Sequence, residues 1–153
     1  MIYLVRHAKA GERGPGDDDW LRPLTRPGQA QAAGLLAVLA DARVERIFTS
    51  PYVRCIESVA PLAGARGLAI ELSDALAEGA PVDESVALVH KHADGGAVLC
   101  SHGDVIPALL EHFAARGVDL GPEPRCPKGS TWVLHTRHGE VRAATYLPPP
   151  PDA

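Results

Sequence analysis

Ile2-Tyr3-Leu4-Val5-Arg6-His7-Ala8 is the stretch whose reading decides the fold. Four apolar residues, three of them β-formers, run straight into an arginine and a histidine, after which the chain turns polar and glycine-rich. The pattern predicts a buried first strand that delivers Arg6 and His7 at its carboxyl end. In open α/β sheets the crevice beyond the carboxyl ends of the strands is where ligands bind, so a cation and an imidazole placed there can face a substrate. The plainer alternative is an N-terminal strand followed by two solvated residues.

Working outward, strands alternate with helices. Thr25 offers an N-cap before Arg26 and Pro27, and Ala30, Ala33, Leu36, Ala37 and Ala40 share one face of a helix ending near Asp41. Arg46-Ile47-Phe48-Thr49 reads as a second strand. Ser50-Pro51 then reads as an N-cap with proline at the first helical position, opening a helix from Tyr52 to about Ala65 that carries Arg54 in its first turn. Residues 68–72 make a third strand, followed by a loop with Asp74 and Glu78. Val82 to His92 reads as a third helix, with His90 and His92 facing solvent. Ala97-Val98-Leu99-Cys100 is a fourth, fully apolar strand ending in Ser101-His102-Gly103, and a helix over 104–116 tolerates Pro107 in its first turn. After a Gly/Pro-rich linker, residues 130–135 and 141–147 flank Arg137-His138-Gly139-Glu140 as a hairpin. The expected fold is α/β: a three-layer α/β/α sandwich, its central sheet mostly parallel, with a C-terminal hairpin. One domain should span 1–147, with 148–153 an extended, Pro-rich tail.

Composition narrows the function classes. A chain of 153 residues with 46% hydrophobic and 22% charged residues is globular, and its formal charge of −4 excludes a general binder of nucleic-acid polymers or membrane surfaces. Any positive site must be local. No apolar run is long enough to span a bilayer and no leader is visible, so a cytoplasmic protein is expected. Cys55, Cys100 and Cys126 are odd in number and scattered, which reads as reduced thiols, two of them core fillers. The Gly/Pro/Asp loop after His7 could cover the first strand's end. Its Asp17 to Asp19 run reads as a solvated acidic tip rather than a cation site, and Trp20 as either core anchor or substrate platform.

His7, Arg54, Glu78 and His102 follow four successive strands, so with Arg6 they should gather on one edge of the sheet. Two arginines and two histidines suit a phosphoryl group, because guanidinium is planar, always charged and matches phosphate oxygens bidentately. Phosphoryl transfer needs positioning, charge stabilisation and an in-line nucleophile; a neutral imidazole can be that nucleophile near pH 7, with no metal or other cofactor. A carboxylic acid must protonate the leaving oxygen and later activate water. Glu78 is the candidate, with Asp74 and Glu84 as rivals. Lys128 has two readings, a solvated lysine or a contact to a second phosphate or a phosphoprotein carboxylate.

Leu4-Val5-Arg6-His7-Ala8, Ser50-Pro51-Tyr52-Val53-Arg54 and Ser101-His102-Gly103 together resemble the histidine phosphatase superfamily, the phosphoglycerate mutase-like fold, over essentially the whole chain. The resemblance implies transient phosphorylation of His7, a phosphoryl group held by Arg6, Arg54 and His102, and Glu78 as general acid and base. The compact length resembles the SixA-like phosphohistidine phosphatases. Arg22-Pro23-Leu24-Thr25, Tyr52-Val53-Arg54-Cys55 and Lys128-Gly129-Ser130-Thr131-Trp132-Val133-Leu134 look closer still to the C-terminal phosphatase domain of two-domain bacterial Nudix hydrolases. The implied partner is a phosphohistidine protein or a small phosphorylated metabolite or nucleotide; oligomeric state is left open. Ala8 stands where many members have glycine, and Ser58 where threonine is frequent.

Three other readings compete. A serine hydrolase would use Ser101 with His135 or His138, but leaves Arg6, His7 and Arg54 unexplained. A metal hydrolase would use His7, His102 and Asp17, without a metal-binding helix motif. A catalytically silent phosphate-binding module would keep the fold and the cup without turnover. A mutase is disfavoured because the chain has little from which to build a closed lid.

Overall fold

In the computed structural model, which describes residues 1–14, 16 and 18–152, ten regular elements build one six-stranded sheet covered on both faces. In chain order they are β1 (Ile2–Arg6), α1 (Arg26–Val38), β2 (Arg46–Thr49), α2 (Val53–Arg66), β3 (Ile70–Leu72), α3 (Val82–His92), β4 (Ala97–Ser101), α4 (Val105–Ala114), β5 (Thr131–Arg137) and β6 (Glu140–Leu147). Single 3-10 turns at Asp19–Leu21 and Asp74–Leu76 punctuate the loops after β1 and β3. The strand order is β3-β2-β4-β1-β5-β6. The first four strands are mutually parallel, while β5 runs antiparallel to both β1 and β6.

Strand side chains alternate between faces, and that alternation sorts the core into two layers. Ile2 and Leu4 of β1 join Leu99, Ile106, Leu109 and Phe113 on the α3/α4 side. Tyr3 and Val5 join Val98, Leu35, Val59 and Leu62 on the α1/α2 side. Because both faces are buried, β1 and β4 read as unbroken apolar runs rather than alternating ones. The mostly parallel three-layer sandwich and the hairpin are thus as expected; His138 and Gly139 at the hairpin tip both have positive φ, the geometry of a tight two-residue turn. Cys55 and Cys100 are fully buried in the α1/α2 layer.

Several local expectations shift. The second helix starts at Val53, with Tyr52 in the cap position. Ser50 does not cap it: its hydroxyl accepts the Tyr52 N–H and also bonds His102, so proline at 51 extends the turn instead of opening the helix. β3 begins only at Ile70, because as an edge strand it pairs with β2 alone. The fourth helix is trimmed to Val105–Ala114. His92 is not solvated but half-buried, its ring 4.5 Å from that of Phe48. The tail is docked as well: Pro150 is buried against Gly34 of α1, and Asp152 pairs with Lys9.

The placement of the site follows from topology. β1 and β4 are parallel neighbours, yet the chain leaves β1 towards α1 on one face and β4 towards α4 on the other. Connections diverging to opposite faces open a crevice at the carboxyl ends of those two strands.

Candidate active site

A cleft of about 310 Å³ opens at that crevice, lined by Arg6, His7, Arg13, Arg22, Arg54, Glu78, His102, Gly103, Asp104 and Lys128. All of Arg6, His7, Arg54, Glu78, His102 and Lys128, the residues singled out from sequence, are brought together there. Pairing of Arg6 with Ser101 across β1 and β4, and the 3.0 Å bond from the His7 N–H to the Ser101 carbonyl, set the two histidines side by side. Their ring centroids lie 5.4 Å apart at 65°.

His7 is 5% exposed, and its Nδ1–H donates to the Ala8 carbonyl at 2.8 Å. A carbonyl only accepts, so the proton sits on Nδ1 and the Nε2 lone pair is left free. Burial, opposed by that hydrogen bond and reinforced by the charges of His102, Arg54 and Arg6, pushes the pKa of His7 down to about 3. The imidazole is therefore neutral at pH 7. On the other histidine, Nε2 lies 2.8 Å from the Ser50 hydroxyl and 3.6 Å from Cys55 Sγ, and the Tyr52 ring packs edge-on at 4.7 Å. Its Nδ1 is buried with no protein partner among the described residues, as are the Nε atoms of Arg6 and Arg54. Buried polar atoms are ordinarily paired, so three unpartnered nitrogens on three residues of the cleft are unusual. Gly103 serves close approach: a Cβ there would come 2.6 Å from the Arg6 guanidinium carbon.

Arg54 is 1% exposed, and two carboxylates and a carbonyl meet its buried guanidinium. Its Nη1 donates to the Asp19 carbonyl at 3.0 Å, its Nη2 to Asp19 Oδ2 at 3.2 Å and to Glu78 Oε2 at 3.3 Å. Asp19 also pairs with Arg22 at 3.0 Å and with Arg13 at 3.4 Å. Burial alone would push its carboxyl up, but Arg22, Arg54 and Arg13 outweigh that and hold it below the ordinary carboxylate range. Asp19 is thus no solvated loop tip; Asp17 lies outside the described residues. Trp20, 49% exposed, is not a core anchor.

Of the three candidate acids, Glu78 lines the cleft, with Oε1 3.0 Å from Arg13, while Asp74 and Glu84 are exposed and outside its lining. Asp104 accepts the Gly79 N–H at 2.7 Å, tying the Glu78 loop to the start of α4. Sequence reading missed Asp19, Arg13, Arg22, Ser50 and Asp104 as neighbours of the cup. For Asp19, Arg13 and Asp104 the sequence signal is membership of loops that follow strand ends; Arg22 and Ser50 also stand in the motifs quoted for the resemblance. Ser58, standing where threonine is frequent, accepts the Ala8 N–H at 2.8 Å and donates to the Arg54 carbonyl at 2.6 Å, joining the end of β1 to α2.

The serine hydrolase reading loses its geometry. The Ser101 hydroxyl donates to the Leu76 carbonyl at 2.6 Å in a buried position, and His135 bonds Thr145 on the C-terminal hairpin. Among the described residues no group of three or more His, Cys, Asp or Glu side chains is disposed to hold a metal.

Comparison with known proteins gives the family. Residues 2–84 match the histidine phosphatase superfamily (branch 1). An 8-oxo-(d)GTP phosphatase of Mycolicibacterium smegmatis is 35% identical over 162 residues covering 99% of this chain and 49% of that protein, so the chain spans about half the length of that relative. Among solved structures, one assigned to the phosphohistidine phosphatase SixA of Agrobacterium tumefaciens superposes with a TM-score of 0.72 at 25% identity, covering 97% of both chains. YhfR of Bacillus stearothermophilus superposes at 0.73 with 19% identity over 92% of this chain and 93% of that one, a likeness of fold. The chain belongs to the histidine phosphatase superfamily, a family of phosphatase-type hydrolases, and within it is similar to the compact SixA-like proteins.

Proposed function

We propose that the chain is a metal-independent phosphatase working through a phosphohistidine on His7. The observation that carries the reading is the state of that side chain: neutral, its proton committed to the Ala8 carbonyl, its Nε2 free beside two arginines and a second histidine. Arg6, Arg54 and His102, which line the cleft around His7, hold the phosphoryl oxygens. Nε2 attacks phosphorus as the bond to the leaving oxygen breaks, and Glu78 gives that oxygen a proton. Glu78 then takes a proton from the water that displaces His7, releasing inorganic phosphate. Its hydrogen bond to Arg54 keeps the acid at the edge of the cup.

The substrate we favour is a small phosphorylated metabolite or nucleotide, a reading supported by the nucleotide substrate named for the relative that matches this chain end to end over half its own length. A phosphohistidine protein is the second reading, favoured by the SixA neighbour. The activity is expected to be cytoplasmic; no helix is long and apolar enough to cross a membrane among the described residues. The test is phosphate release in excess EDTA, wild type beside His7→Ala, over aryl phosphate, phosphohistidine protein, sugar phosphates and nucleotides. Wild type should release phosphate, and His7→Ala should lose at least a thousandfold while remaining folded. Tight binding of phosphorylated ligands without turnover by wild type would instead make this a silent binding module.

A further inference from the structure

The cleft carries more positive charge than one phosphoryl group requires, and the surplus has an address. Five cations line it: Arg6, Arg13, Arg22, Arg54 and Lys128. Three have carboxylate partners, Arg13 with Glu78 and Asp19, Arg22 with Asp19, and Arg54 with both acids. Arg6 has none among the described residues but points one nitrogen at the Cys126 carbonyl, 2.6 Å away, and belongs to the phosphoryl cup. Lys128 likewise has no carboxylate partner among the described residues and no role in the cup.

Lys128 is also held in position. The Gly129 N–H donates to the carbonyls of Arg6 and His7 at 3.2 and 3.0 Å, and the Arg6 N–H donates to the Ser130 carbonyl at 3.0 Å. Gly129 adopts φ +85, which lets the chain fold back onto the end of β1. Gln31 of α1 donates to the Lys128 carbonyl at 3.4 Å, and the Ser130 hydroxyl closes the turn on the Pro127 carbonyl at 2.6 Å. The backbone that delivers the nucleophile and the backbone that delivers this lysine are therefore one hydrogen-bonded unit. Burial, then the charges of Arg6, Arg22, Arg54 and Lys9, push the ammonium of Lys128 below the ordinary lysine range. A lysine crowded by cations is relieved by an anion.

We propose that Lys128 forms a second anion subsite that takes a phosphate on the leaving group, so that the preferred substrate is the terminal phosphate of a diphosphate rather than an isolated monoester. The proposal rests on the histidine phosphatase mechanism given above. The bond from phosphorus to the bridging oxygen breaks as the bond to His7 Nε2 forms. The departing phosphate takes the electron pair on that oxygen, where Lys128 offsets the charge. Water then adds to phosphorus, its proton passes to the Glu78 carboxylate, and His7 is restored with release of inorganic phosphate. A phosphate leaving group is a weak base, so this substrate leans on Lys128 more than on protonation by Glu78. Inorganic pyrophosphate and nucleoside diphosphates share the chemistry and are told apart by assay.

The experiment is the kcat/KM of wild type, Lys128→Ala and Lys128→Arg in EDTA on a nucleoside diphosphate, the matching monophosphate, inorganic pyrophosphate and an aryl phosphate. Wild type should favour the diphosphate over the monophosphate at least tenfold. Lys128→Ala should cut that ratio at least tenfold, chiefly through KM, and Lys128→Arg should restore most of it, which a general loss of structure would not permit. Pyrophosphate matching the nucleoside diphosphate would assign recognition to the two phosphates alone; a clear advantage for the nucleotide would add the nucleoside to the same subsite. No diphosphate preference, or equal slowing of both substrates by Lys128→Ala, overturns the subsite while leaving a His7-dependent phosphatase standing. Phosphohistidine protein outrunning every diphosphate also overturns it. Release from nothing in the panel, by folded protein, overturns the subsite and the mechanism together.

Discussion

His7 shows how much chemistry one hydrogen bond can set. Donation from Nδ1 to the Ala8 carbonyl fixes the tautomer, and burial among cations keeps the ring neutral, so His7 as the proposed nucleophile needs no general base to free its lone pair. The same burial has a stability consequence whose sign is fixed. In the unfolded chain His7 takes up a proton near its ordinary pKa of about 6.5; in the folded protein it does so only at about 3. Between those values the unfolded state binds more protons, so stability falls as pH drops through that window and is unaffected by this group above it. Urea unfolding at pH 7 and pH 4 should show that His7→Gln removes on the order of 2–4 kcal/mol of the wild-type loss. An equal loss in both proteins would mean the ring titrates normally. In kinetics, the acid limb of the kcat/KM profile should not be set by an unperturbed histidine near 6.5 arising from His7.

Among elements, the site depends on how β1 is joined to α2. Ser58, one turn along α2 from Arg54, accepts the Ala8 N–H just past His7 and donates to the Arg54 carbonyl. Its side chain is 1% exposed, so Ser58→Ala leaves a buried N–H without an acceptor, at a cost of about 1–3 kcal/mol. Ser58→Thr keeps the hydroxyl and should recover most of that loss, apart from fitting one methyl group. The check is urea unfolding of both variants together with kcat; Ser58→Ala should lower kcat as well, because His7 and Arg54 lose their common brace. Unchanged stability in Ser58→Ala would show that another group or water accepts the Ala8 N–H.

For the whole molecule, the decisive quantity is the contrast between a net charge of −4 and a cleft lined by five cations against two carboxylates. The acidic remainder discourages polymeric anions while the cleft attracts small ones. Raising salt from about 50 to 500 mM shrinks the screening length to a few ångströms, so kcat/KM for a dianionic substrate should fall several-fold, mainly through KM. A flat response would mean that the ion pairs among Asp19, Glu78 and the arginines already neutralise the cleft.

The sequence by itself determined the layers and the edge. Short apolar runs such as 2–5 and 97–100, bounded by polar turns, read as strands buried on two faces, and strand-helix alternation favours right-handed crossovers that put His7, Arg54, Glu78 and His102 at one end of one sheet. Those are local periodicities and chain order, which a sequence displays directly. What only the tertiary structure decided is which polar groups meet across loops: Asp19 on Arg54, Ser50 on His102, Asp104 on the Glu78 loop, the tail on α1. Ser50 read as a helix cap and Asp19 as a solvated tip because each has a satisfactory local role. The competing partners lie 35 to 52 residues away, a distance across which periodicity carries no information. Long-range hydrogen bonds then decided the matter, since a buried Arg54 and a buried His102 cost far more unpartnered than a local cap contributes.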